Sequence, residues 1–106
     1  LSGGENVSPA RIEGLLIAQP AIAQAVVAGE GQPGLTALVV PADGFNEAAA
    51  AAAVGNVNRR LSSTERIRHH AVVSPFTLEN GQMTATQKVR RHEVIQRHQA
   101  ILERQG

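Results

Sequence analysis

The sequence predicts one small α+β domain, in which helices cover a small, mostly antiparallel sheet. Its 106 residues match the length of a single domain. Two short apolar runs, Ile22 to Ala28 and Leu35 to Val40, flank a turn rich in glycine and proline, which is typical of paired antiparallel strands. Elsewhere, apolar residues recur at helical spacing. Because aromatic residues make up only 2 % of the chain, we expect an aliphatic core.

In the first half of the chain, one helix is predicted before these two strands and a second helix after them. Residues 1–7 are rich in glycine and indicate a loop or a short hairpin. Ser8 and Pro9 favour the start of a helix, and Pro20 ends it before the first strand. A second helix is predicted from Glu47 to Leu61, since this segment contains a long run of alanines.

A short helix and a third strand are predicted next. Ser62 and Glu65 match a capping box, so we expect a short helix from Ser62 to about Arg68. The strand is predicted from His69 to Ser74 because apolar, β-branched residues lie at its centre.

The last part of the chain is predicted to form a hairpin, a loop and a basic helix. Asn80–Gly81, between Leu78 and Met83, is a signal for a tight hairpin. Thr84 to Val89 is predicted to be extended or a loop, and Arg90 to Arg104 a C-terminal helix. The apolar face of that helix is formed by Val94, Ile95, Ile101 and Leu102, with His98 between them.

Charge is distributed unevenly along the chain. Residues 1–57 carry one base against five acids, whereas residues 58–106 carry nine bases against four acids. The formal charges of the two halves are therefore −4 and +5. The basic half indicates an anionic ligand, and a solvated basic surface is the simpler alternative. The basic and imidazole set consists of Arg59, Arg60, Arg66, Arg68, His69, His70, Arg90, Arg91 and His92.

The residue types present disfavour several classes of function. The absence of cysteine excludes a disulfide scaffold, a cysteine-ligated zinc site and a cysteine nucleophile. Neighbouring His69 and His70 face opposite ways on a strand, and His92 and His98 lie on opposite faces of a helix, so no metal site is predicted. A basic nucleic-acid-binding domain is the least favoured function, because no recognition signature is present and no aromatic residue stands near the basic set.

The sequence also bears on location and completeness. No apolar run reaches the ~20 residues needed to cross a bilayer, and the N-terminus does not resemble a signal peptide, so we expect no transmembrane segment and a cytoplasmic location. The only methionine is Met83. We therefore expect the chain to be a piece of a longer polypeptide.

Two segments remain as candidates for chemistry. Gly3 and Gly4 would let the backbone approach a ligand closely, and glycine pairs are also common in ordinary turns. Lys88 is the only lysine, and a lysine on a loop can reach phosphate or carboxylate oxygens or can simply be solvated.

Taken together, these segments resemble the C-terminal domain of adenylate-forming enzymes, which include acyl-CoA synthetases, luciferases and peptide-synthetase adenylation domains. Residues 2–13, SGGENVSPARIE, resemble the glycine loop and helix that open this domain. Residues 80–91, NGQMTATQKVRR, resemble the loop that carries the catalytic lysine. The resemblance covers essentially all of residues 1–106. Gln87 before the lysine and the Arg90–Arg91 pair after it are most similar to the long-chain fatty acyl-CoA synthetase branch.

This resemblance implies the mobile C-terminal lid of an AMP-forming fatty acid–CoA ligase, acting with its own N-terminal adenylation domain. ATP and a fatty acid would give an acyl-adenylate, and coenzyme A would then take the acyl group as a thioester. The N-terminal domain would bind magnesium and share ATP or AMP and coenzyme A with the lid. The isolated chain is therefore expected to be inactive. The alternative is a free-standing, non-catalytic binding module of the same fold.

The resemblance also implies roles for individual residues. Lys88 would be the catalytic residue of adenylation, and the Gly3–Gly4 loop would line the passage for the pantetheine arm. Asn6 would lie near the nucleotide. The basic face around Arg90 and Arg91 would meet coenzyme A phosphates, and solvation of that helix face is the simpler alternative. The cofactor-binding residues implied in this way are Gly3, Gly4, Glu5, Asn6, Arg90 and Arg91.

Overall fold

A computed structural model describes residues 7–29 and 34–105 and confirms the predicted α+β class. The predicted loop or hairpin at the N-terminus falls almost entirely on residues 1–6, which lie outside the described residues. The elements are α1 (Pro9–Ile17), β1 (Ile22–Ala28), β2 (Leu35–Pro41), α2 (Glu47–Asn58), a 3₁₀ helix (Ser63–Glu65), β3 (Ile67–Val72), α3 (Arg91–Arg97) and α4 (Gln99–Gln105).

The described strands form a sheet in the order β1-β2-β3. β1 and β2 are antiparallel, as predicted, with Val27 opposite Ala37. β3 joins the other side of β2 and runs parallel to it, with Ala71 opposite Leu38. Since β2 is central, it is buried on both faces, and β1 and β3 provide the two edges of the sheet.

Side-chain alternation along β2 divides the core into two layers. Leu35, Ala37 and Val39 pack with α1 and α2 on one face. Leu38 and Val40 pack on the other face with residues from the C-terminal third of the chain, including Val94 of α3. Helices on both faces of the sheet therefore bury an almost entirely aliphatic core.

The helix starts agree with the capping signals. The Ser8 Oγ accepts the N–H of Arg11 at 3.3 Å. The Asn46 Oδ1 accepts the N–H of Ala49 at 2.8 Å at the start of α2.

The predicted end of α2 at Leu61 is wrong, because the helix stops at Asn58. The Asn58 carboxamide donates to the C=O of Ile67 at 2.9 Å and accepts the N–H of Ile67 at 2.8 Å. It therefore holds the first residue of β3 beside the C-terminus of the helix. The residues between Asn58 and Ile67 form a short connection, and Leu61 of this connection is buried in the core.

The same contact explains two corrections in the next segment. The short helix predicted from Ser62 to about Arg68 is only the 3₁₀ turn Ser63–Glu65, although the Glu65 carboxylate accepts the N–H of Ser62 as a capping box requires. β3 begins at Ile67 instead of His69, because Ile67 is held by Asn58 and paired with Leu35.

The hairpin predicted at Asn80–Gly81 is a turn without flanking strands. Gly81 has a positive φ of 79°, and Gln82 donates to the C=O of Thr77 at 3.1 Å. The Asn80 Oδ1 accepts the N–H groups of both Thr77 and Gln82 at 3.0 Å. These side-chain bonds satisfy backbone groups that strand pairing would otherwise have used.

The predicted C-terminal helix is interrupted. His98 separates α3 from α4 and has a ψ of 24°. Its Nδ1 lies 2.9 Å from the carbonyl oxygen of Val94, a local side-chain contact that competes with regular helix bonding. The predicted apolar face is confirmed, since Val94 is buried and Ile95, Ile101 and Leu102 pack beside it.

Replacing Asn58 with alanine is expected to lower the free energy of unfolding by about 1–3 kcal/mol, because two backbone groups of the buried Ile67 would lose their partner. Asn56→Ala is the matched control on the same helix. Its carboxamide bonds to the side chains of Gln19 and Arg59 at the surface, so its loss should change stability by less than about 0.5 kcal/mol. Urea denaturation of the chain measures both values. Equal losses for the two variants would contradict the role given to Asn58.

Candidate functional site

Lys88 lies in a closed loop, residues 83–89, whose ends are joined by a bridge between Met83 and Val89. Thr84 N–H donates to the C=O of Lys88 at 2.8 Å, and Lys88 N–H donates to the Oγ1 of Thr84 at 3.0 Å. Gln87 N–H donates to the C=O of Thr84 at 2.8 Å. Thr84 lies across the loop from Lys88, and its hydrogen bonds fix the backbone of Gln87 and Lys88.

Gln87 adopts a left-handed backbone conformation with a φ of 66° immediately before Lys88. This conformation costs a non-glycine residue about 1–2 kcal/mol. Glycine would adopt such a φ without strain. The backbone of this loop thus keeps the shape that glycine favours, although the residue is glutamine.

The Lys88 side chain points out of the domain. Lys88 is exposed, and in the described part of the chain the ion pairs are Arg11 with Glu65 and Arg91 with Glu13, neither of which includes it. A cavity of about 430 Å³ lies between α1, β1 and the loop, and Gln87 lines it but Lys88 does not. The ammonium is therefore available to an anion that lies outside these residues.

Arg91, by contrast, is bound within the fold. Its Nε lies 3.0 Å from the Oε2 of Glu13, and its Nη2 donates to the C=O of Val27. The same Glu13 oxygen accepts the N–H of Val27 at 2.7 Å. The pair thereby satisfies both backbone groups that Val27 exposes at the free edge of β1. The predicted contact of Arg91 with coenzyme A phosphates is untested, and its guanidinium already has these partners.

Glu13, which bonds to both Val27 and Arg91, is a residue of this region that the sequence analysis did not single out. It lies on α1 beside the buried Ile12, and its partner in the sequence is 78 residues away. An acid adjacent to the apolar stripe of a helix was the available signal, since a carboxylate in such a position needs a nearby partner.

Arg90 faces solvent. Its backbone N–H donates to the C=O of Gln82 at 2.8 Å, and its Nη1 donates to the C=O of Gly81 at 3.2 Å. Arg90 thus stabilises the turn that precedes the loop of residues 83–89, and it remains exposed. Its predicted contact with a phosphate stays a prediction.

The structure places members of the basic and imidazole set at opposite edges of the sheet. Arg68, His69 and His70 are exposed on β3, whereas Arg91 lies at the edge of β1 on the opposite side of the sheet. Nowhere in residues 7–29 and 34–105 are three histidine, aspartate or glutamate residues grouped to hold a metal ion. No helix within these ranges is long and apolar enough to span a membrane.

The predicted glycine-loop residues Gly3, Gly4, Glu5 and Asn6 lie outside the described residues. What the structure places is the segment that follows them. Val7 packs against the α1–α2 layer of the core, and Ser8 caps α1.

Similar proteins are considerably longer than this chain. It is 32 % identical, over 96 % of its length, to the long-chain-fatty-acid–CoA ligase FadD15 of Mycobacterium tuberculosis, of which it covers 21 %. It is 30 % identical, over 98 % of its length, to the probable acyl-activating enzyme 16, chloroplastic, of Arabidopsis thaliana, of which it covers 18 %. The chain therefore spans about a fifth of these relatives.

Solved structures agree with the fold. The A-PCP didomain of the carboxylic acid reductase from Segniliparus rugosus, in complex with AMP, superposes with a TM-score of 0.80 at 30 % identity, covering 97 % of this chain and 16 % of that one. The adenylation domain of the carboxylate reductase from Mycobacterium chelonae gives 0.79 at 25 % identity, with 97 % and 18 % covered. The model of the family described as "AMP-binding enzyme C-terminal domain" matches residues 1–105. The exposed lysine loop, the fold and this match together show that the chain belongs to the AMP-binding enzyme C-terminal domain family.

Proposed function

We propose that the chain is the mobile C-terminal lid of an ATP-dependent, AMP-forming fatty acid–CoA ligase and that it supplies Lys88 to the adenylation step. The observation that carries the proposal is the outward-facing Lys88, presented by a loop whose backbone is held by hydrogen bonds. Similarity to FadD15, a long-chain-fatty-acid–CoA ligase, supports the choice of substrate class.

In the first step, a carboxylate oxygen of the acid attacks the α-phosphorus of ATP. The bond to the bridging oxygen breaks, pyrophosphate leaves, and an acyl-adenylate forms. The carboxylate and the α-phosphate are both anionic, so they repel each other as they approach. The Lys88 ammonium, placed between them, donates hydrogen bonds to both and stabilises the charge of the transition state. It also fixes the direction of attack, and no proton transfer from the lysine is required.

In the second step, the thiol sulfur of coenzyme A attacks the acyl carbon, AMP leaves, and the thiol proton is lost to solvent or to a base. A rotated lid would withdraw Lys88 and bring the glycine loop to the site. The backbone of Gly3 and Gly4 would then line the passage for the pantetheine arm, with Glu5 and Asn6 on the nucleotide side. Arg90, which is exposed, is the more accessible of the two arginines for a coenzyme A phosphate.

The proposal requires a second domain. The acid, ATP and magnesium would be held by an N-terminal adenylation domain, because the described residues contain no acidic or histidine cluster that could hold a metal ion, and the chain spans about a fifth of its relatives. The carboxylic acid reductase domains support a shared first step, since one of them was solved with AMP and a co-purified carboxylic acid. The isolated chain is expected to form no acyl-adenylate.

Replacing Lys88 with alanine in the full-length enzyme is expected to slow adenylation by about 10²–10³-fold, because one preorganised charge contact to the transition state is lost. Thioester formation from supplied acyl-adenylate should be largely kept. Pyrophosphate release and thioester formation measure the two half-reactions, and Arg104→Ala is a control that removes an exposed cation from α4. An equal fall in both half-reactions would contradict the assigned role.

Gly4→Leu is expected to give the opposite pattern in the same enzyme. A branched side chain at this position would obstruct the passage for pantetheine, so thioester formation from acyl-adenylate should be lost while pyrophosphate release is retained. Gly55→Leu provides a control at a glycine of α2, where an added Cβ meets no atom within 4 Å. Normal thioester formation by Gly4→Leu would exclude the passage at this loop.

A further inference from the structure

We infer that Thr84 is a positioning residue for adenylation, which acts by fixing the backbone of Lys88 through its side-chain hydroxyl; this inference rests on the proposed function of Lys88. Both backbone polar groups of Lys88 are bound by this one residue. The Lys88 C=O accepts from Thr84 N–H at 2.8 Å, and the Lys88 N–H donates to Thr84 Oγ1 at 3.0 Å.

The Thr84 hydroxyl accepts the bond from Lys88 N–H, and a residue without a side-chain oxygen at this position would lose that bond. The bond from Thr84 N–H to the Lys88 C=O is independent of residue type, whereas the bond from Lys88 N–H needs an oxygen at the γ position of residue 84. Thr84 Oγ1 also lies 3.1 Å from the Oγ1 of Thr86, so it is oriented from a second side. Thr84 is half-buried and Lys88 is exposed, which leaves the lysine side chain to move while its backbone stays in place.

The conformation of Gln87 makes this restraint necessary. Its φ of 66° turns the chain so that Lys88 N–H faces Thr84, and a glutamine holds this conformation only when neighbouring contacts determine it. Gln87 N–H itself donates to the C=O of Thr84 at 2.8 Å. Without the hydroxyl, the peptide between Gln87 and Lys88 can rotate to a less strained conformation and carry the lysine away from the orientation that the reaction needs.

The consequence is specific to the first half-reaction. Lys88 has to place one ammonium between two anions, and a displacement of about 1 Å in such a contact can cost 10²-fold in rate. The second half-reaction, in which the proposed function withdraws Lys88, does not depend on the shape of this loop.

Three variants of the full-length enzyme test the inference. Thr84→Val removes the oxygen but keeps the β-branched shape, Thr84→Ser restores the oxygen, and Thr64→Val removes an exposed hydroxyl outside the loop as a control. We expect Thr84→Val to slow pyrophosphate release by about 10–100-fold. Thr84→Ser and Thr64→Val should remain close to wild type, and all three should form thioester from supplied acyl-adenylate normally.

Three results would overturn the inference: wild-type adenylation by Thr84→Val, no rescue by Thr84→Ser, or an equal loss in both half-reactions. Lys88→Ala, measured alongside, separates it from the proposed function. Normal adenylation by Lys88→Ala would refute the proposed function itself. Slow adenylation by Lys88→Ala together with normal adenylation by Thr84→Val would refute only the inference about Thr84.

A measurement without catalysis provides a second test. Lys88 is the only lysine, so a lysine-specific endoprotease has one site in the 106-residue chain. Cleavage within a folded loop follows the population of its opened form. Thr84→Val should therefore be cut several times faster than wild type, and Thr84→Ser and Thr64→Val at the wild-type rate. Equal cleavage of Thr84→Val and wild type would show that the hydroxyl does not hold the loop.

Discussion

The ion pair between Glu13 and Arg91 joins the start of α3 to α1 and to the free edge of β1. β1 is an edge strand, so the N–H and C=O of Val27 point away from the sheet. Glu13 accepts the N–H, Arg91 donates to the C=O, and the two charged groups lie 3.0 Å apart. Removing either partner would leave a backbone group of Val27 without its hydrogen bond and the other side chain without its counter-charge, which is unfavourable although solvent screens the partly exposed pair. The start of α3, and with it the loop that precedes α3, is thereby fixed to α1 and β1.

This anchor and the Thr84 contact act on the same loop from two ends. Arg91 fixes its C-terminal connection to the sheet, and Thr84 fixes the backbone at Lys88. The side chain of Lys88 extends from this fixed backbone into solvent. Such an arrangement suits a lid that must deliver one cation to reactants bound elsewhere, because a rigid support reduces the number of orientations in which the cation is unproductive.

The sequence predicted β1, β2 and the helix starts well, since apolar runs, Gly/Pro turns and capping residues are local signals. The errors occur where a side chain bonds to a backbone group and so replaces the regular hydrogen bonding of a helix or strand. Asn58 ends α2 early and advances β3, Asn80 replaces a hairpin, and His98 divides the last helix. At the site, Lys88 was identified through resemblance to a family. The pairing of Glu13 with Arg91, which supports the loop of Lys88, could not be predicted, because these two residues are 78 positions apart and only the fold brings them together.

The central claim is that Lys88 contacts both reacting groups from a loop that keeps its backbone conformation. A crystal structure of the full-length enzyme with a non-hydrolysable acyl-adenylate analogue tests it most directly. We expect Lys88 Nζ at about 2.7–3.2 Å from an acyl oxygen and from an oxygen of the phosphate or its replacement, with the Thr84 hydroxyl still bound to the Lys88 N–H. A complex in the adenylation orientation with another cation in that place, and Lys88 directed into solvent, would contradict it.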